Sequence, residues 1–506
     1  MEQAGSQAER YERASYDYGH YDVARLHRSP IISRFIGSWK AQALAARNGC
    51  PTVLYSIDVI NRTLLGVMLA AAAGAATVNW PSFRGPEAGG VADGKVATSW
   101  NADPGAGALR NIRWKTAIPG LAHSSPAIWE NRLFVTSAIS SAGPAPLKVG
   151  LYGDGDPADD NAEQSWVVYC LEKNTGKILW QRLAHKGAPK TKRHTKATHA
   201  NSTPATDGKR LIAYLGSEGV YAYDLDGNLL WTKDLGVFDP GPQGYDLQWG
   251  TASSPVLFED KLILQCDQKK NSFLVVLSAK DGKELWRVGR DGVSNHSWAT
   301  PAVITAAGRT QIVCNGWPYI AGYELATGKE LWRLKSGGDI PVPTPVFADG
   351  LIYVTNAHGG PKPLYAVKPD ASGDITPDAA SNTSPGLAWY EPSNGAYMQT
   401  PVILDDLLYS CSDRGVLKVY DARTGQLRYT ERLGAGTTGF SSSPIAVDSK
   451  LYFASEEGEV YVIKAGAQFE LLSKNLLGEI AMASPAVSEN ALYYRTRGHV
   501  VAIAER

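Results

Sequence analysis

Pro255-Val256-Leu257, Lys261-Leu262-Ile263-Leu264-Gln265, Phe273-Leu274-Val275-Val276-Leu277 and Glu284-Leu285-Trp286-Arg287 follow one another along one stretch of chain. Each run is short and β-branched or aromatic, and no 3.6-residue pattern competes with it, so the four read as strands. Asp281-Gly282 sits between the third and fourth, where glycine supplies the positive φ of a tight hairpin. One such sheet cannot bury both of its faces alone. The question is therefore what repeats.

The opening phrase recurs eight times, as Ser125-Pro126, Thr203-Pro204, Ser254-Pro255, Thr300-Pro301, Thr344-Pro345, Thr400-Pro401, Ser443-Pro444 and Ser484-Pro485. Most intervals are those of a four-stranded propeller blade, with longer ones after Pro126 and Pro345. The hairpin glycine recurs as Gly176, Gly227, Gly282, Gly328 and Gly425. Four residues after each comes an aromatic: Trp180, Trp231, Trp286, Trp332 and Tyr429. These aromatics are expected to pack between neighbouring blades. After Pro485 the chain has room for three strands but not four, while Ile112-Arg113-Trp114-Lys115 precedes the first marker without a blade of its own. The strand around Trp114 is therefore expected to complete the last blade and hide the sheet edges. The fold class is all-β, an eight-bladed propeller of four-stranded antiparallel blades.

Composition agrees. The 506 residues include 51 Gly, 14 Trp and 24 Tyr against 10 Phe and 4 Met, a vocabulary of turns and aromatic strands. Fifty basic side chains balance fifty acidic ones, which removes the long-range field of a nucleic-acid binder. Five cysteines without close pairs exclude a disulfide scaffold.

The ring is expected over residues 77–506. Ahead of it, residues 59–76 carry Arg62, the apolar run Leu64-Leu65-Gly66-Val67-Met68-Leu69 and a small-residue exit at Gly74-Ala75-Ala76, the pattern of an export signal. The run is too short to span a bilayer, and no cysteine follows it for a lipid anchor. A short buried helix is the other reading. Residues 1–58 show no convincing periodicity, which points to a translation start near Val59. The mature protein is expected in the periplasm or outside the cell, as a monomer without a membrane span.

Glu324-Leu325-Ala326-Thr327-Gly328-Lys329-Glu330-Leu331-Trp332 and Tyr221-Ala222-Tyr223-Asp224…Gly227-Asn228-Leu229-Leu230-Trp231 resemble the pyrroloquinoline quinone (PQQ) repeat. The resemblance covers about residues 80–506, and Trp80-Pro81-Ser82-Phe83-Arg84-Gly85-Pro86 is similar to the start of exported bacterial propellers of this type. Two better-understood relatives share the repeat. Quinoprotein alcohol dehydrogenases hold PQQ and calcium in the central funnel, beneath a vicinal Cys-Cys pair and beside an Asp base. Here Cys170, Cys266, Cys314 and Cys411 are isolated, so the pair is absent and neither the base nor the calcium ligands can be placed. The other relative is an outer-membrane assembly lipoprotein that binds no quinone. The resemblance thus implies a binding or assembly module, with a PQQ- and calcium-dependent oxidoreductase as the alternative.

Loops that enter the first strands, or join second to third, converge at one mouth of a propeller. Here they bring His123, His199, Trp249, His296, Trp298, Trp317, His358, Tyr397, Arg414 and Arg497. Aromatic walls with polar tips suit a small molecule or carbohydrate, an envelope protein could dock there, and the arginines could clamp an anion. The same residues could equally cap strand ends. His123, His199, His296 and His358 lack any short ligand spacing, so no metal is assigned. The insertions 139–164 and 370–386, the acidic run Asp154-Gly155-Asp156-Pro157-Ala158-Asp159-Asp160 and the basic run from Lys186 to Lys196 read as solvated surface loops.

Overall fold

The computed structural model describes residues 78–151, 155–241 and 247–505. The expected extension 1–58 and export signal 59–76 lie outside these residues.

Eight sheets each contain four consecutive antiparallel strands. Blade 1 comprises Ala127–Trp129, Arg132–Ser140, Gln164–Glu172 and Ile178–Gly187. Blade 8 has Ala486–Ser488, Ala491–Arg495 and His499–Ile503, and its outer strand is Ile112–Ala117, with Trp114 opposite Ala502. The ring is closed as the sequence implies. Middle strands such as Phe273–Ser278 are buried almost throughout, because neighbouring blades cover both faces, whereas the outer strand Glu284–Gly289 alternates between exposed and half-buried.

Two repeated contacts join the blades. In the first, an outer-strand indole donates to a carbonyl of the next blade: Trp114 to Lys173 at 2.9 Å, Trp180 to Leu225, Trp231 to Ala279 and Trp286 to Leu325 at 3.0 Å, and Trp389 to Ala422 at 2.8 Å. The ring face then lies on the hairpin glycine. At Gly282, with φ of 70°, an added Cβ would fall 2.7 Å from Trp231. The glycine thus serves a left-handed turn and a close approach together.

In the second contact, the backbone N–H of one Ser/Thr-Pro marker donates to the hydroxyl of the next. Ser125 donates to Thr203, Thr203 to Ser254, Ser254 to Thr300, Thr344 to Thr400, Thr400 to Ser443 and Ser443 to Ser484, all between 2.9 and 3.0 Å. The Ser/Thr of the marker is therefore a belt residue, satisfying a buried backbone donor across each of these junctions.

The fourth repeat departs from the pattern. Trp332 donates to Gln311 of its own blade at 2.8 Å. Part of the 370–386 insertion, expected as a surface loop, pairs Gly373–Asp374 in parallel with the outer strand at Trp332 and buries Ala371 and Ile375. A free strand edge beside apolar side chains accounts for that docking.

The axis is not an open hole. Residues 80–92 run along the inner strands: Trp80 pairs with Ile128, Thr206 N–H donates to Pro81, and Val91–Ala92 lies parallel to Ala446–Val447. Arg84 is fully buried here, donating to the carbonyls of Ala88, Gly89, Pro401 and Pro444. Burial pulls its guanidinium down to about 9, so it stays charged at neutral pH.

Candidate functional site

With one end of the axis filled, a cavity of about 420 Å³ remains between Phe83 of that segment and the loops of the mouth. Its wall is mainly apolar and aromatic, with Phe83, Trp249, Trp298, Tyr397, Met398 and Met482 among its residues. Marker hydroxyl residues from seven blades line it as well. Among the described residues its lining includes Lys196 but no Asp or Glu side chain.

Five of the ten residues expected at the mouth line this cavity: His123, Trp249, Trp298, His358 and Tyr397. Trp249 and Trp298 pack at 5.6 Å between ring centroids, and their indoles donate to Gly155 and Gly250. His358 packs on Tyr397 and bonds Asp339 at 2.6 Å, which holds that carboxyl below its usual range. Burial pushes the Tyr397 phenol up. His123 Nε2 lies 2.8 Å from the Lys196 carbonyl, and burial pulls the imidazole down to about 4, so it is neutral and donates.

The other five do not line it. His199 packs on Trp166 beside Asp160, and His296 stacks on Trp317 and reaches the Asp339 carbonyl. Burial holds both imidazoles below their usual range. Arg414 is exposed, while Arg497 donates to Ala145 beside a second cavity between blades 8 and 1. The two arginines form no clamp on the axis.

The acidic and basic runs were expected in solvent, and the structure corrects this. Asp160 and Arg193 are buried and paired at 2.8 Å, and Lys196 is buried against Glu456 at 2.7 Å. The Asp160–Arg193 pair joins the acidic and basic runs, and Lys196 ties the basic run to blade 7 through Glu456. Described residues of the first insertion thereby reach the mouth: Gly150 N–H donates to Glu456, Ala158 N–H to the Arg193 carbonyl, and Gly155 lies against Trp249 and lines the cavity. Glu456 also accepts from Ser441, yet burial still holds its carboxyl above the usual range and holds Lys196 below its own. Lys196, His194, Ser441 and Glu456 were not foreseen. The signal for Lys196 was its place in the long loop entering blade 2, the same class of loop that supplied the other candidates.

Residues 90–235 and 163–426 match the profile of the family described as outer membrane protein assembly factor BamB, whose unit is a PQQ-like repeat. The chain belongs to this PQQ-like repeat family. The PQQ-like propeller is 23% identical over 279 residues to a tetrathionate hydrolase of Acidithiobacillus ferrooxidans, covering 49% of this chain and 52% of that enzyme. It thus spans about half the length of the curated relative it matches. The quinohemoprotein alcohol dehydrogenase of Comamonas testosteroni superposes with a TM-score of 0.56 at 11% identity, over 86% of this chain and 82% of that one. BamB from Moraxella catarrhalis gives 0.49 at 16% identity, over 72% and 98%. At 11% identity the match to the quinohemoprotein dehydrogenase shows a shared fold alone, and the site must be argued from the chain's own residues.

Proposed function

We propose that this propeller is a ligand-binding module that works outside the cytoplasm and takes a small amphipathic molecule into its axial cavity. The observation that carries the reading is the cavity itself: closed by Phe83, walled by Trp249, Trp298 and Tyr397, and furnished with a few polar groups. Export is supported by Arg62 and the apolar run that follows it. Among the described residues no helix is long and apolar enough to cross a membrane.

The oxidoreductase alternative fits these residues poorly. Calcium needs oxygen ligands with carboxylates among them, and none lines the cavity among the described residues. Cys170, Cys266, Cys314 and Cys411 are buried and unpaired, with the blade cores around them. A protein-docking role remains the second reading, favoured by membership of a family described by its assembly factor.

The test is a fluorescence titration with N-phenyl-1-naphthylamine, a neutral aromatic probe. Saturable binding at one site, lost in Ala252→Trp, which fills the cavity, is the expected result. Binding that survives the filled cavity, or no binding, overturns the reading.

A further inference from the structure

The belt hydroxyls have a second face. A hydroxyl offers one proton and two lone pairs. In Ser254, Thr300, Thr400, Ser443 and Ser484 the oxygen accepts a backbone N–H, but no acceptor for the proton lies within hydrogen-bond distance among the described residues. All five line the cavity. The hydroxyls of Ser125 and Thr344, in blades 1 and 5 on opposite sides of the ring, are buried and have no partner at all. Accepting an N–H polarises a hydroxyl and makes it a better donor. The cavity is thus encircled by donors whose protons are unspent, an arrangement that costs free energy unless something accepts them.

A separate observation concerns charge. Arg84 donates to Pro401 and Pro444, the residues that immediately follow Thr400 and Ser443 of the collar. Its other acceptors are the carbonyls of Ala88 and Gly89, so no carboxylate among the described residues neutralises it. A fully buried guanidinium held only by carbonyls leaves positive potential at the closed end of the axis. Together with the carboxylate-free lining, this favours an anion at the collar.

We propose that the collar of marker hydroxyls, above Arg84, binds the oxyanion head of an organic acid, a sulfonate or carboxylate, whose apolar body lies against Trp249, Trp298 and Tyr397. The inference rests on the cavity being the binding site and names the class of molecule it takes. Each hydroxyl–oxyanion bond is charge-assisted, and the buried hydroxyls of Ser125 and Thr344 make theirs by rotating toward the cavity.

8-Anilino-1-naphthalenesulfonate is the neutral probe above bearing one sulfonate, so the pair isolates the head group. The sulfonate is expected to bind at least about tenfold more tightly than its neutral parent. The double variant Ser125→Ala with Thr344→Val is expected to weaken it about tenfold, leave the neutral probe within about twofold, and leave the melting temperature unchanged or raised, because neither hydroxyl has a partner to lose. Sulfate is expected to displace the sulfonate probe at constant ionic strength, and not the neutral one. Equal affinities for the two probes, or a double variant that binds the sulfonate as the wild type does, would overturn the collar while leaving the cavity reading in place. If neither probe binds, both fall.

Discussion

Replacing Gly282 by alanine tests whether the blades are held by the indole–glycine contact. Two effects add. A non-glycine residue at φ of 70° costs about 1–2 kcal/mol. The new methyl group would also fall 2.7 Å from Trp231 Cε3 and 3.0 Å from Cδ2, so the indole must shift away from the Ala279 carbonyl it bonds at 3.0 Å. Overpacking of this kind costs about 1–3 kcal/mol, which brings the total to about 2–5 kcal/mol. Gly308 provides the control, because its φ is 76° and nothing lies within 4 Å of an added Cβ. Gly308→Ala should cost only the backbone term. In a Trp231→Ala background the wall is gone, and Gly282→Ala should fall to the Gly308 value, an interaction energy of about 2 kcal/mol in the cycle. Equilibrium unfolding in urea measures all five proteins. Equal costs at Gly282 and Gly308, or strict additivity with Trp231→Ala, would refute the docking argument.

Lys196→Met should destabilise by about 3–5 kcal/mol, since it strands the buried Glu456 carboxylate, and adding Glu456→Gln should recover most of that in the same urea assay. His123, pulled down to about 4 from 6.5, favours the neutral form in the folded state. The stability it contributes is complete above pH 6.5 and is lost as pH falls from 6.5 to 4. The loss is at most about 3 kcal/mol, and less because the ring borders the cavity; His123→Asn should flatten that limb of a stability–pH profile. Thr203→Val removes the acceptor of the Ser125 N–H and should cost about 1–3 kcal/mol in thermal or urea unfolding.

The ring was legible because its determinants are local and repeated. A hairpin glycine four residues before an indole, and a Ser/Thr-Pro at each inner strand, read the same way in blade after blade. Even the closure by the Trp114 strand follows from counting strands at the two ends. The cavity was half legible. His123, Trp249, Trp298, His358 and Tyr397 lie on loops whose place the repeat fixes. Arg414 and Arg497 lie on such loops too, yet their long side chains turn elsewhere. The first insertion's place at the mouth was missed because charged runs look alike whether they face water or each other. Only the meeting of Asp160 with Arg193, and of Lys196 with Glu456, distinguishes the two cases, and those meetings are tertiary. The plug at residues 80–92 has no periodicity to announce it.

The seam in blade 8 has a consequence for how the molecule is made. Ile112–Ala117 pairs with His499–Ile503, so a strand synthesised before any complete blade waits for one made after the other seven blades. Until it arrives the array is an open arc, and the eighth sheet lacks the strand that joins its two halves. The clasp therefore acts as a check that the eighth blade has been made. A chain that lacks His499–Ile503 retains almost every contact within the other blades, yet it lacks the one contact that turns an arc into a ring.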